Sequence, residues 1–472
     1  MQSIVQMSRE WKHVSRIIAA YSPRIKPGRT TPKSEFQRRV KAMQQALAKI
    51  GCPVGLVFSD EHYCGDVPYL GGNTNVSVEQ VAGIIGPTGF HIVAGLEGGY
   101  VAEQLAPRAG AVVHKAELLQ LADEKYPIRA ERLEDIIAAA AGRPLAQVKQ
   151  IALLTPRQVV PAAIVEYLNR LFGAKNVLDL QLAYQKVKYE KSEVEMALTR
   201  DAGVVADAMM RAMLAVLRPG MLETEVTAWA YLVGQKLGCE SNGFQIMCGT
   251  GDSCRTLIGP PQNKVIRKGD WVHLGVAPTR DGLNACIRRS VIAVDQLAGI
   301  KLKDRYWFDF IEAAYRVGFD AFVNCARTNA PAKTQEQALV DFFRSRSDEV
   351  SARVGKRIEL ETLKPYTGTH NSGYTECQEF FGAITLESHE PLGKRIVTML
   401  DVALRGCGDH WDDVIIPGLD YILIENTLGK WGRKVETLTR LPLNVQALVG
   451  NTRGVPVAFG HEGPASRTRG HA

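Results

Sequence analysis

In the first half of the chain, segments whose apolar residues have helical spacing alternate with short apolar segments typical of strands. From Ser34, the apolar residues of SEFQRRVKAMQQALAKI recur at helical spacing, and Gly51 stands where such a helix ends. The apolar stretches VAGIIGP and FHIVAG follow as strand candidates, and AERLEDIIAAAAG returns to helical spacing. Alternation of this kind to about Leu180 predicts an α/β domain.

The second half begins with predicted helices and ends with predicted strands. Ser192 and Glu195 form a capping box, and helical spacing continues from there until a Pro-Gly pair interrupts it. The segments DWVHLGVA and CIRRSVIAV have the character of strands, and a long helical region follows at about 304–354. A β-rich block is predicted from GAITL to YILIENTLG. This order indicates a second domain that mixes helices and strands.

These patterns divide the chain into four segments. Residues 1–33 are basic, contain Pro and Gly near their end, and are expected to form an arm that wraps a partner subunit or stays mobile. The α/β domain covers 34–185, the second domain covers 186–445, and 446–472 form a C-terminal tail. A chain of 472 residues is too long for one ordinary hydrophobic core, so its length also predicts more than one domain.

Composition narrows the expected partners and compartment. The net charge of +7 is modest for this length and is partly carried by the two ends, so no nucleic-acid partner is expected. No apolar run approaches the roughly 18 residues that span a bilayer, so no membrane association is expected. The nine Cys include no CxxC pair, which argues against a disulfide framework and a structural zinc site. A reducing cytoplasm is therefore the expected compartment.

Six segments of the second domain occur in the order found in one fold family: KSEVEMALTRDAG, LRPGMLETEV, IRKGDWVHLGV, GLNACIRRS, GTHNSG and ILIENTLGKWGRKVETLT. In these segments the chain resembles the pita-bread family of creatinase, aminopeptidase P, prolidase and methionine aminopeptidase, peptidase family M24. With the preceding domain, the resemblance covers roughly Ser34 to Leu443. It implies a mixed α/β (α+β) chain, in which a creatinase-like N-terminal α/β domain precedes a pita-bread domain, and it implies a homodimer.

The resemblance also implies where metal ligands would lie. Metal-dependent members hold two ions with two Asp, one His and two Glu, which suits hard cations that activate a shared water. In this chain the first Asp position falls on Gly275 and the second on Cys286. Neither a glycine nor a lone thiol replaces a bridging carboxylate, so a two-metal peptidase site is not expected.

The remaining ligand positions are better matched. The family His falls on His370 in THNSG, and the last Glu falls on Glu425 in YILIEN, an otherwise apolar strand where a carboxylate needs a positive or hydrogen-bonding partner. The other Glu falls on Asp401 or on Met399, depending on which neighbouring residues are aligned. Three candidate ligands therefore remain of the family's five.

Two further family histidines have no counterpart in the matching segments. One position falls near Ile258 and the other on Cys377. Creatinase is the metal-free hydrolase of the family and depends on a catalytic His at the first of these positions. The chain therefore departs from creatinase as well as from the metallopeptidases.

The candidate site residues follow from these positions. A thiolate activated by His370 is one possible nucleophile, and a desolvated carboxylate is one possible acid or base. Arg289, which matches the family Arg, is expected to pair with Glu425 or to bind an anionic substrate group. The predicted catalytic residues are His370, Glu425, Asp401, Cys286 and Cys377, and the predicted substrate-binding residues are Arg289, Glu376 and Glu379.

Three functions of different class remain open. The first is a metal-independent hydrolase or lyase that cleaves a C–N bond in a small polar molecule and needs no cofactor. The second is a hydrolase with a single Mn, Fe or Zn ion held by His370, Asp401 and Glu425. The third is a non-catalytic binding protein. The binding protein differs from the two enzymes in whether its cavity still converges polar groups on one point.

Overall fold

The N-terminal domain is built on a six-stranded mixed sheet. The structure, a computed structural model, describes residues 4–77, 79–120, 129–256, 258–295, 300–364, 368–375 and 382–451. The sheet has the order β4-β3-β2-β1-β5-β6, with β1 (Gly55–Ser59), β2 (Val81–Gly86), β3 (Gly89–Ala94), β4 (Val112–Lys115), β5 (Ile151–Leu153) and β6 (Val177–Asp179). The first described element is α1 (Ile4–Tyr21), and helices cover both faces of the sheet: α2 (Lys33–Ile50), α3 (Asp66–Gly71), α4 (Leu96–Leu105), α5 (Leu133–Ala141), α6 (Ala162–Phe172) and α7 (Gln181–Tyr189).

The second domain is built on a seven-stranded antiparallel sheet. Its order is β12-β13-β14-β11-β8-β7, and β15 pairs with the far end of β14. The strands are β7 (Met247–Thr250), β8 (Trp271–Val276), β11 (Ile287–Ile292), β12 (Thr369–Asn371), β13 (Arg395–Arg405), β14 (Tyr421–Trp431) and β15 (Lys434–Thr437), and a separate ribbon joins β9 (Thr279–Arg280) and β10 (Leu283–Asn284). The helices are α8 (Glu193–Val216), α9 (Glu223–Lys236), α10 (Leu302–Thr328), α11 (Lys333–Ser345) and α12 (Ser347–Val354).

Helices α8 and α9 cover one face of this sheet. Val272, Leu274 and Val276 alternate along β8 and join the buried residues of α8 and α9 in one core. The alternate residues of β8, His273 and Gly275, therefore project to the opposite face. That face carries the polar groups described below.

Several predicted elements are confirmed. The capping box of Ser192 and Glu195 begins α8, and Gly51 ends α2 with a φ of 77°, a conformation that glycine adopts without steric cost. The helical region at 304–354 forms α10, α11 and α12, which bury Phe310 and Phe343 in the core beside β13 and β14.

The segment GAITL is not a strand, so the β-rich block begins at β13 instead. None of the described helices combines the length and apolar character needed to cross a membrane.

Helix α1 differs from the arm that was expected at the N-terminus. Val14, Ile17 and Tyr21 are buried in the same core as α8 and α9. Glu10 is completely buried and accepts a hydrogen bond of 2.9 Å from the Trp229 indole nitrogen. The basic segment therefore contains an amphipathic helix, whose apolar face packs on the second domain of its own chain.

Two stacked histidines in the N-terminal domain form a buried hydrogen-bonded chain. His91 Nε2 lies 2.8 Å from Thr88 Oγ1, and His91 Nδ1 lies 2.9 Å from His114 Nε2. His114 Nδ1 in turn lies 3.0 Å from the Glu131 carboxylate. Burial, followed by the charge of His114, lowers the pKa of His91 to about 4. The neutral ring is therefore the form that folding favours.

Stability is expected to fall as the pH is lowered from about 6.5 to about 4. In this window unfolded chains protonate His91 and folded chains do not, so the free energy of unfolding declines by about 3 kcal/mol in total. Urea unfolding across the window measures the slope, and His91→Gln is expected to flatten it. The exposed His62, changed to Gln, is the matched control. Equal slopes in wild type and His91→Gln would contradict this assignment.

Candidate functional site

One row of facing residues crosses four neighbouring strands of the second sheet. Gly275 of β8 lies opposite Arg288 of β11, which lies opposite Glu425 of β14. Glu425 in turn lies opposite Asp401 of β13. Directly opposite residues of antiparallel strands project to the same face, so the three charged side chains of this row meet.

A second row lies two residues further along the same face. His370 of β12 is opposite Met399, and Met399 is opposite Thr427. The backbone N–H of Cys286 donates to Thr427 Oγ1 at 2.8 Å, which places Cys286 at the end of the row. The two rows together bring His370 beside the carboxylates of the first row.

The predicted residues His370, Asp401 and Glu425 are thus brought together. One possible ligand atom from each residue lies within 4.8 Å of the other two. His370 Nε2 is 3.6 Å from Glu425 Oε1, and all three side chains are buried. Among the described residues, Asp401 Oδ1 has no hydrogen-bond partner. A buried carboxylate oxygen without a donor is costly and available to a proton or a ligand.

Arg288 supplies the positive charge at the centre of this group. Its Nη1 donates to Asp401 Oδ2 at 2.9 Å and to Glu425 Oε2 at 3.1 Å. Its Nε donates to His273 Nε2 at 3.1 Å, and Tyr421 also hydrogen-bonds the guanidinium. Burial and then the Arg288 charge hold the pKa of His273 well below its usual range, so His273 acts as a neutral acceptor.

The absence of a side chain at Gly275 makes room for Arg288. A Cβ at this position would lie 2.9 Å from Arg288 Cγ and 3.2 Å from Met247 Sδ. Contacts this short force neighbouring atoms to move. The glycine and the arginine therefore form a matched pair across β8 and β11.

Gly275→Ala is expected to lower the free energy of unfolding by about 1–3 kcal/mol, the usual cost of overpacking a buried site. Chemical denaturation measures the change. In an Arg288→Ala background the clashing Cγ is absent, so the added cost of Gly275→Ala is expected to shrink toward zero. A loss of the same size in both backgrounds would contradict the pairing of these two residues.

The two carboxylates have pKa values displaced in opposite directions. Burial raises the pKa of Asp401 to about 6, aided by the like charge of Glu425 and opposed by Arg288. Burial also acts to raise the pKa of Glu425, but the Arg288 charge, the contact with His370 and a hydrogen bond from Cys286 together hold it below its ordinary value. Asp401 thus exchanges a proton near neutral pH while Glu425 stays ionised.

Arg289 does not take the place that the sequence suggested. It follows Arg288 by one residue and therefore points to the opposite face of β11. Its guanidinium donates to the backbone carbonyls of Glu425 (2.7 Å), Pro442 (3.1 Å) and Arg288 (2.8 Å). It makes no ion pair with the Glu425 carboxylate among the described contacts, and it is buried with 1% exposure, so it does not face a substrate.

The structure also places the other candidates. Asp401, rather than Met399, lies beside the Glu425 carboxylate, whereas Met399 packs against Cys286 and Ala277. Cys286 is fully buried next to Glu425. Three predicted residues lie outside the described residues: Glu376, Cys377 and Glu379.

Sequence reasoning missed Arg288 and His273. Two consecutive arginines in the apolar segment CIRRSVIAV were a usable signal, because a buried guanidinium needs acceptors. Because side chains alternate along a strand, Arg288 projects to the same face as Cys286, which precedes it by two residues. The family resemblance implies a role for Arg289 instead.

The donor set does not match the two-metal centre that the resemblance implies. Two of the five ligand positions hold Gly275 and Cys286, and the carboxylate oxygens of Asp401 and Glu425 that face Arg288 already bind its guanidinium.

Comparison with known proteins gives sequence matches over part of the chain. The Metallopeptidase family M24 matches residues 197–374, from α8 to the segment after β12. An uncharacterized hydrolase/peptidase y4tL of Sinorhizobium fredii is 25% identical over 308 residues, 57% of this chain and 68% of that protein. An uncharacterized peptidase YqhT of Bacillus subtilis is 21% identical over 249 residues, 52% of this chain; the match spans 64% of that relative's length.

Solved structures share the whole two-domain fold. An X-Pro aminopeptidase from Thermotoga maritima superimposes with a TM-score of 0.65 at 16% identity, over 86% of this chain and 98% of that chain. A prolidase from Pyrococcus horikoshii gives 0.63 at 15% identity, over 86% and 99%. The N-terminal α/β domain and the pita-bread domain predicted from the sequence are thereby confirmed. The chain is thus similar in sequence to the Metallopeptidase family M24 over residues 197–374, and it shares the two-domain fold of these solved structures.

Proposed function

We propose that this protein is a hydrolase or lyase that cleaves a C–N bond in a small polar molecule without a resident metal ion. The observation that carries the proposal is the buried group of Asp401, Glu425 and His370, in which one carboxylate titrates near neutral pH and the other stays ionised. Paired carboxylates whose pKa values are pushed apart are typical of acid–base catalysis.

Asp401 has the properties of the residue that moves protons. Its pKa of about 6 is close to the optimum for a general acid–base group, and its Oδ1 is free to accept a proton in the part of the chain that is described. In hydrolysis, Oδ1 takes a proton from a water whose oxygen bonds to the substrate carbon. The same proton then passes to the leaving nitrogen as the C–N bond breaks, which regenerates the carboxylate.

The fixed charges have a separate role. Glu425 remains ionised, held by Arg288, and its Oε1 lies 3.6 Å from His370 Nε2, which orients the imidazole. His370 then donates a hydrogen bond to the substrate oxygen on which negative charge develops. In an elimination, Asp401 would take its proton from carbon instead of water and deliver it to the same leaving nitrogen.

The walls beside the group favour a small substrate. Ala277, Cys286 and Met399 form a buried apolar cluster, with Phe244 packed against it. The charged row and the apolar cluster meet at Cys286, whose thiol hydrogen-bonds Glu425. Such a site suits a compact molecule with one polar reacting group and one apolar side.

The test is a turnover screen on protein treated with a chelator. Small amides, amidines and ureas are incubated with the protein, and release of ammonia or amine is followed by proton NMR. An Xaa-Pro dipeptide with and without Mn²⁺ serves as the peptidase comparison. Turnover of a small C–N compound that survives the chelator is expected. Cleavage of the dipeptide alone, and only with metal, would contradict the proposal, and no turnover under any condition would favour a binding protein.

A mononuclear metal hydrolase is the second candidate. The observation in its favour is that His370, Asp401 and Glu425 offer three ligand atoms within 4.8 Å of one another. One imidazole and two carboxylates suit Mn, Fe or Zn. Arg288 binds Asp401 Oδ2 and Glu425 Oε2, so a metal ion held by the other oxygens, Asp401 Oδ1 and Glu425 Oε1, would lie beside its positive charge. Turnover abolished by the chelator and restored by one equivalent of metal would favour this candidate.

A further inference from the structure

The site carries a cation of its own. Nη1 of Arg288 lies 2.9 Å from Asp401 Oδ2 and 3.1 Å from Glu425 Oε2, so one guanidinium group bridges two buried carboxylates. The same two carboxylates belong to the one group of described residues with a spacing suited to a metal ion. We infer that Arg288 takes the place of a metal ion and blocks cation binding at His370, Asp401 and Glu425.

Four side chains bind the guanidinium: the two carboxylates and two further residues. His273 accepts from Nε at 3.1 Å, and Tyr421 makes a further hydrogen bond. Arg288 is 6% exposed, so water does not screen its charge from the carboxylates. A dication that bound the same carboxylates would lie within a few ångströms of this fixed positive charge and would be repelled.

The residues around Arg288 fit its role as the cation of this site. Gly275 has no Cβ, and any Cβ there would meet Arg288 Cγ at 2.9 Å, so the arginine needs the glycine. Cys286 places a thiol at the position where the resemblance implies a further carboxylate, so no third carboxylate competes for the one guanidinium. The remaining carboxylates, Asp401 and Glu425, are the two that Arg288 contacts. The inference rests on the proposed function only in its claim that no metal ion is resident.

Removing the guanidinium is then expected to uncover a metal site. In Arg288→Met the oxygens of Asp401 and Glu425 lose their cation, and His370 completes a donor set of one imidazole and two carboxylates. Arg288→Lys keeps a positive charge in the same space and is the matched control. Arg255→Met, which removes a partly exposed ion pair with Asp420, controls for the loss of any arginine.

Metal binding is measured directly by calorimetric titration of chelator-treated protein with Zn²⁺ and Mn²⁺. Arg288→Met is expected to bind one equivalent about 100-fold or more tightly than wild type, because a repulsive buried charge is gone. Its melting temperature is expected to rise on adding metal. Arg288→Lys and Arg255→Met are expected to behave like wild type, and adding His370→Ala to Arg288→Met is expected to abolish the binding.

Two results would overturn the inference. One is wild-type protein that binds the ions as tightly as Arg288→Met; the other is a folded Arg288→Met that gains no affinity. If Arg288→Met is recovered only unfolded, it is refolded with and without each ion. Recovery only with metal supports the inference, and failure with both ions overturns it. Turnover is not read in this experiment, so an inactive protein in the substrate screen leaves its result unaffected.

Discussion

Arg288→Met is expected to lower the free energy of unfolding of metal-free protein by about 3–5 kcal/mol. The substitution keeps most of the side-chain volume but leaves Asp401 and Glu425 buried without the cation that they both contact. An uncompensated buried charge costs far more than a lost surface pair. Urea denaturation followed by tryptophan fluorescence and circular dichroism measures the change.

A partly exposed ion pair provides the comparison for this prediction. Arg255 contacts Asp420 at 2.8 Å, with both side chains about one-fifth exposed. Arg255→Met is expected to cost about 1 kcal/mol or less. If both arginine variants lose the same small amount of stability, Arg288 does not neutralise the buried carboxylates as described.

Asp401→Asn is expected to lower kcat by about 10²- to 10⁴-fold on whichever small C–N compound the screen identifies. Asparagine keeps the size of the side chain and still accepts a hydrogen bond from Arg288, but it cannot take up and release a proton. Glu425 continues to pair with Arg288 in this variant, so the fold is expected to persist. Steady-state kinetics at pH 7 measure the loss.

The kinetic control is an aspartate outside the site. Asp420→Asn removes the partner of Arg255 and leaves the row of Arg288, Glu425 and Asp401 intact. Its kcat is expected to stay close to that of wild type. An Asp401→Asn variant that retains turnover within a few-fold of wild type would show that Asp401 does not transfer the proton.

The fold was predictable because its signals are local and repeated. Short sequence signals predict several elements: the capping box at Ser192 begins a helix, and Gly51 ends one. In the N-terminal domain, each strand that alternates with a helix is likewise predicted from its own short segment. Residues 1–33 were expected to form an arm, but Ile4–Tyr21 form α1 because apolar residues recur at helical spacing within this basic segment. Tyr21 and Val14 of that segment are buried on α8 and α9, a contact that only tertiary structure shows.

The site was predictable only in part, and strand geometry explains the difference. His370 and Glu425 stand in recognisable motifs, and the register of β13 against β14 decides between Asp401 and Met399. Arg288 escaped prediction because its role depends on contacts with Asp401 and Glu425, which lie 113 and 137 residues away in the sequence. A shift of one residue, from Arg289 to Arg288, changes the face of the strand and the function of the side chain.

Metal content of the purified protein tests the central claim most directly. Protein is prepared without chelator from medium that contains Mn, Fe and Zn, and bound metal is measured by mass spectrometry. With Arg288 holding the Asp401 and Glu425 carboxylates, the wild type is expected to contain far less than one metal ion per chain. One full equivalent that disappears in His370→Ala would contradict the account and establish a mononuclear metal site.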